Sequence, residues 1–173
     1  MSVLCDWEIR TLCGSGGAVS PFSMEFVNPA SLDVRLGNNI MVEVPEDRKL
    51  HLLELTDYTE DEPYELTPGE FCLAETLETF RIPERISAQF VLKSSRAREG
   101  YQHALAGWID PGWVGSKLTL ELKNNRRYRS LPLYPGMRIG QIVFHTMSQT
   151  PIKSYTEVGN YNNHSRVMPS VAS

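Results

Sequence analysis

The chain has 173 residues, a formal net charge of −4 and a pI near 5.6. That length supports one domain with a sizeable core and is short for two, while an acidic balance with no basic stripe excludes a dedicated nucleic-acid binder. No apolar run reaches transmembrane length, and Met1 to Glu8 offers neither a basic nor an apolar leader region, so a soluble, cytoplasmic protein with no membrane partner is expected.

Eleven prolines and twelve glycines, scattered between short apolar runs, suit an all-β domain with many turns. Leu4 to Leu12 reads as one short helix, with Ser2 or Asp6 near its start and Gly14 just past its end. Ser31 to Gly37 alternates Leu32, Val34 and Leu36 against Asp33 and Arg35, the pattern of a strand with one apolar face, and Ile40 to Val44 reads as a second strand. Asp57 to Tyr64 is acidic and irregular, a loop by composition. Thr67-Pro68-Gly69 is a turn that opens a strand over Phe71 to Thr76, and Ile86 to Lys93 is a further strand. It runs into Lys93-Ser94-Ser95-Arg96-Ala97-Arg98, which sets three cations and two hydroxyls at a strand end. A phosphate chain is held by that mixture, and a basic loop end that is merely solvated has the same composition.

Ala106 to Gly115 is the stretch around which the chain is organised. Asp110-Pro111-Gly112 is a tight turn, in which Pro111 presets φ and Gly112 supplies the positive φ that a type II turn needs. After Gly115, Leu118, Leu120 and Leu122 point one way while Lys117, Thr119, Glu121 and Lys123 point the other. A half-buried strand thus presents Glu121 beside a turn that presents Asp110. The two acids are either ordinary charges of a surface hairpin or the core of a site. Asp110 then caps its turn or holds a sugar hydroxyl or water; Glu121 pairs with a lysine across strands or serves as general acid and base. Tyr134-Pro135-Gly136 is the third turn of this type and precedes a strand over Met137 to Phe144. Strands at this cadence indicate a barrel or jelly roll. The division expected is a single β domain over 1–150 and a polar tail over 151–173, either disordered or a lid. Cys5, Cys13 and Cys72 share no metal-ligand spacing and the four histidines are dispersed, so no metal site and no zinc are expected.

Five segments in order carry a resemblance: Asn28 to Gly37; Ser94-Ser95 with Arg98 and Gly100; Ala106 to Gly115; Thr119-Leu120-Glu121-Leu122 with Asn124; and Pro135-Gly136-Met137 with Ile139 and Gln141. Together they resemble the dCTP deaminase family of the dUTPase superfamily. The resemblance implies an all-β, dUTPase-like distorted jelly roll or β-clip with a short N-terminal helix, assembled as a homotrimer. It implies hydrolytic deamination of dCTP to dUTP and ammonia without zinc, with magnesium carried by the triphosphate and dCTP, dUTP or dTTP-type nucleotides as partners. The alternatives it leaves are a bifunctional enzyme that continues to dUMP, a dUTPase, and a non-catalytic nucleotide-binding regulator. By the same resemblance Glu121 shuttles the proton, and Ser94 and Arg98 stand beside it as catalytic partners. Lys93, Ser95, Arg96 and Ala97 belong to the phosphate segment, Asp110 meets the deoxyribose, and Thr119 and Leu120 offer backbone to the base. Tyr155, Asn160 and His164 fall in the tail that covers the nucleotide. Lys93 stands where the family has arginine, and Asn160 and His164 where it has lysine and glutamine, which implies a weaker grip on the triphosphate.

Overall fold

A computed structural model describes residues 2–171; of the division into 1–150 and 151–173, Met1, Ala172 and Ser173 lie outside the described residues. In chain order the elements are helix α1 (Asp6–Arg10), strands β1 (Val19–Ser20), β2 (Val27–Asn28), β3 (Ser31–Val44), β4 (Lys49–Glu54), β5 (Tyr64–Leu66), β6 (Phe71–Arg81) and β7 (Ile86–Leu92), and helix α2 (Ser94–Glu99). Then follow β8 (Tyr101–His103), β9 (Trp108–Ile109), β10 (Val114–Asn124), β11 (Leu131–Leu133), β12 (Arg138–Thr146) and helix α3 (Tyr155–Val158).

Ten strands form one curled antiparallel sheet along the path β8-β10-β6-β3-β12-β7-β9, with β1 on β6 and both β2 and β4 on β3, while β5 and β11 pair separately. The long strand β3 makes the curl possible. Its first half pairs with β12 through Leu32 to Arg35, and its second half with β6 and β4 from Leu36 onward. Instead of two strands separated at Asn38-Asn39, β3 is continuous, with a register shift against β6 between Leu36 and Ile40. Gly37 is required there, because a Cβ would stand 2.6 Å from Cγ of Glu75 on β6. The expected strand at Phe71 likewise continues past Thr76 to Arg81.

Leu32, Val34, Leu36, Ile40, Leu120, Leu122, Ile142 and Phe144 are essentially inaccessible and form the interior of the curled sheet. Their alternation with half-buried residues along β10 and β12 is the period-two signal visible in the sequence, whereas in β3 the intervening Ser31 and Asp33 are buried as well. The N-terminal segment closes one end: Leu4 donates to the Phe144 carbonyl at 2.9 Å, Ile9 is wholly buried, and α1 continues as a π-helical turn over Thr11–Ser15. Each of the three X-Pro-Gly turns carries its glycine at positive φ, Gly69 at 83°, Gly112 at 84° and Gly136 at 81°. In each, the residue after the glycine donates back to the first carbonyl of the turn. Among the described residues no helix is long and apolar enough to cross a membrane.

Candidate active site

β10 and the Asp110 turn form one wall of a cavity of about 610 Å3, and the tail forms the other. Glu121, Thr119 and Lys117 enter it from β10, Asp110 from the turn, Trp108 and Trp113 from either side of that turn, and Tyr155, Tyr161 and His164 from the tail. The strict alternation after Gly115 explains the first wall. Leu118, Leu120 and Leu122 are buried, so the intervening polar side chains are forced to the opposite face. Trp113 stacks on Phe80 with ring centroids 5.6 Å apart, which fixes the turn to the core.

The second wall is held by hydrogen bonds to the tail backbone, together with the buried Val167 and with Tyr155 packed against the core. Trp113 Nε1 donates to the Tyr161 carbonyl at 2.8 Å and the Ser116 hydroxyl to the same oxygen at 2.7 Å. Lys117 N donates to the His164 carbonyl at 3.0 Å, His164 N donates to the Ser116 hydroxyl at 3.1 Å, and Asn163 N donates to the Val114 carbonyl at 3.0 Å. Near its start the tail meets the Asp110 turn, where Tyr155 N donates to the Pro111 carbonyl at 3.0 Å and the Thr156 hydroxyl to the Gly112 carbonyl at 2.6 Å. The polar tail, for which sequence left disorder or a lid open, therefore lies docked along β10.

Glu121 occupies the floor. Its side chain is one-quarter exposed, and Oε2 is buried 3.1 Å from Nε2 of His103 at the end of β8. Asp110 is exposed and accepts from Trp108 Nε1 at 3.1 Å. Burial, with the Asp110 carboxylate nearby, pushes the Tyr155 hydroxyl above the ordinary phenol range, so it remains a neutral donor at the cavity rim.

The candidate residues separate into two groups. Glu121, Asp110, Thr119, Tyr155 and His164 line the cavity, while the Leu120 side chain is wholly buried in the core and Asn160 is exposed outside the lining. Lys93, Ser94, Ser95, Arg96, Ala97 and Arg98 stand apart from it. That segment, read as a strand end, is the helix α2, closed by Gly100 at φ 117°. Lys93 is engaged by the buried carboxylate of Asp33, and Arg96 by Glu99 and the Arg138 carbonyl. Ser94 and Arg98, expected beside the glutamate, are thus not brought to it within one chain. His103 and Lys117 were missed. His103 is one of four histidines dispersed along the sequence, and its contact with Glu121 arises only from the pairing of β8 with β10. Among the described residues no group of three or more His, Cys, Asp or Glu is arranged to hold a metal ion.

Curled antiparallel architecture of this kind is that of the dUTPase-like proteins. The 2'-deoxycytidine 5'-triphosphate deaminase of Agrobacterium tumefaciens superposes with a TM-score of 0.67 at 24% identity, over 83% of this chain and 48% of that one, so this chain spans about half its length. The dUTPase of Streptococcus mutans superposes at 0.51 with 15% identity, over 75% and 92%. A profile of the family described as dCTP deaminase-like matches residues 3–147. A Methanospirillum hungatei protein named dCTP deaminase, dUMP-forming, is 40% identical over 152 residues, covering 83% of this chain and 81% of its own. A Corynebacterium jeikeium protein of the same name is 37% identical, covering 98% and 96%. The chain belongs to the dCTP deaminase-like family.

Proposed function

We propose that this protein hydrolyses dCTP to dUMP, with release of ammonia and pyrophosphate. The carrying observation is that Glu121 and Asp110 line one cavity, in a chain whose relatives at 35–40% identity are named dCTP deaminase, dUMP-forming. In the first step Glu121 takes a proton from water, hydroxide adds to C4 of the cytosine and the proton passes to N3; the carboxylate then takes the proton of the new C4 hydroxyl and gives it to the amino group, which leaves as ammonia. One water is consumed and dUTP is formed. In the second step a further water attacks the phosphate chain, giving dUMP and pyrophosphate. The Asp110 turn, by its resemblance to that of dUTPases, holds the deoxyribose and this water.

Thr119 offers its backbone to the base, Tyr155 packs over it, and the docked tail keeps the pocket dry. Magnesium enters as the counter-ion of the triphosphate rather than as a resident cofactor. Ser94, Arg98 and the rest of α2 are supplied by the neighbouring copy of a homotrimer. The support for this is their family match together with their separation from the cavity in a single chain. The competing reading is release of dUTP without the second step.

Incubating the protein with dCTP and magnesium, and following ammonia release beside Glu121→Gln, tests the deaminase reading. Ammonia from the wild type alone is the expected result. Equal release from both would remove Glu121 from the mechanism.

A further inference from the structure

Glu121 Oε2 and His103 Nε2 are both buried and lie 3.1 Å apart, and neither atom has a hydrogen-bond partner among the described residues. From this pair we infer that His103 is a positioning residue for Glu121, holding one carboxyl oxygen so that the other faces the substrate. The inference rests on the proposed role of Glu121 as proton carrier.

A carboxylate oxygen and an unprotonated imidazole nitrogen at that distance would set lone pair against lone pair in a site that water does not reach. The proton therefore sits on Nε2 and is directed at Oε2. Leaving both groups unpaired instead would leave the desolvation of each uncompensated. The two atoms lie at contact distance without a hydrogen bond between them, and completing one requires the Glu121 carboxyl to turn toward Nε2.

The imidazole has little freedom to leave. Its ring packs on Phe90 with centroids 4.8 Å apart, and Phe90 is itself buried, its far edge against Gly140, where a Cβ would lie 2.1 Å from the ring. The backbone on either side is fixed as well. His103 is paired with Leu122, and Ala104 N donates to the Glu121 carbonyl at 3.2 Å. Oε2 is buried beside this ring while the Glu121 side chain as a whole is one-quarter exposed and lines the cavity, which leaves Oε1 for the substrate.

The consequence concerns both protonation states of the carboxyl. When Glu121 is ionised, Nε2–H donates to Oε2. When Oε1 has taken the proton from water, Oε2 is the carbonyl oxygen and still accepts the same bond. The carboxyl plane need not turn between accepting and returning the proton, and the reacting oxygen stays where the base is. His103 transfers no proton in this scheme and touches no substrate.

The test compares His103→Leu with His103→Gln, whose amide nitrogen reaches the place of Nε2. His103→Leu is expected to lower kcat for dCTP by about ten- to a hundredfold, a part of what general acid–base catalysis supplies, with KM within about threefold. His103→Gln is expected to recover most of the loss. Imidazole 15N shifts of the wild-type protein are expected to show Nε2 carrying the proton, and the Nε2 resonance to move in Glu121→Gln. Wild-type kcat in His103→Leu, a His103→Gln variant as slow as His103→Leu, or an unprotonated Nε2 would each overturn the inference. If His103→Leu fails to fold, His103→Gln and the spectrum decide. If Glu121→Gln turns over dCTP normally, the proton-carrier reading fails by itself, and the spectrum still decides whether His103 holds Oε2.

Discussion

The backbone N–H of Val167 donates to the wholly buried carboxylate of Glu75 at 2.7 Å, a bond that joins the tail to the centre of the sheet across 92 residues. The same carboxylate accepts from Asn39 Nδ2 at 2.9 Å and from Lys117 Nζ at 2.7 Å. One acid on β6 thus fixes the tail, steadies β3 and neutralises the cation that lines the cavity. A buried carboxylate with three donors is satisfied, and removing it strands all three.

Glu75→Ala is therefore expected to destabilise the fold by about 3 kcal/mol or more, because Lys117 keeps its charge with no partner. It is also expected to release the end of the tail. Hydrogen–deuterium exchange checks this directly: the amides of residues 161–168 should lose protection while those of β3 and β12 keep theirs. Unchanged tail exchange would show that Glu75 is not the anchor.

Gly112 offers a second, independent way to lift the tail. Its φ of 84° disfavours any L side chain, and a Cβ there would lie 2.1 Å from the Ser154 hydroxyl. Gly112→Ala is expected to cost about 1–2 kcal/mol from the backbone conformation alone, and to displace α3 from the turn. Because Tyr155 rides on α3, KM for dCTP should rise more than kcat falls. A variant with wild-type KM would mean that α3 contributes nothing to nucleotide binding.

The separation of α2 from Glu121 leads to a mixing experiment. If neighbouring copies complete each other's sites, Glu121→Gln and Arg98→Ala are both inactive alone. Random reassembly of equal amounts into trimers should restore about a quarter of the sites, those with an intact glutamate from one copy and an intact arginine from the next. No recovery in verified mixed trimers would place both groups in one chain's site.

Burial pushes the Cys13 and Cys72 thiols from near 9 up to about 12, with the Glu70 carboxylate adding to the effect at Cys72. Between those values the unfolded chain sheds protons that the folded chain retains. Stability is accordingly full below pH 9 and falls as pH rises through the window, by up to about 1.4 kcal/mol per pH unit for each thiol. Urea melts between pH 8 and 10.5 measure the slope. Replacing either buried cysteine by alanine should make it shallower, and a slope unaffected by both replacements would assign the alkaline loss to other groups.

Much of the site was legible because half-buried strands write their geometry in period two. Leu118, Leu120 and Leu122 could only be core, which placed Thr119 and Glu121 on the opposite face, and Asp110-Pro111-Gly112 could only be a turn. The five ordered segments then gave the family, which the profile and the relatives show. Other features left no local trace. α2 is six residues long with no buried side chain, so no apolar periodicity announces it. The tail is ordered by backbone bonds to Trp113, Ser116 and Glu75, and such bonds impose no pattern on its own side chains. His103 meets Glu121 only through the pairing of two strands, a contact that no spacing along the chain encodes.

The product of dCTP turnover tests the central claim most directly. With magnesium present, nucleotides separated by ion-exchange chromatography at partial conversion should show dUMP and pyrophosphate rising together, one ammonia per dUMP, and no accumulating dUTP. Accumulation of dUTP without pyrophosphate would contradict the second step, and dCTP left intact by the folded protein would contradict the account as a whole.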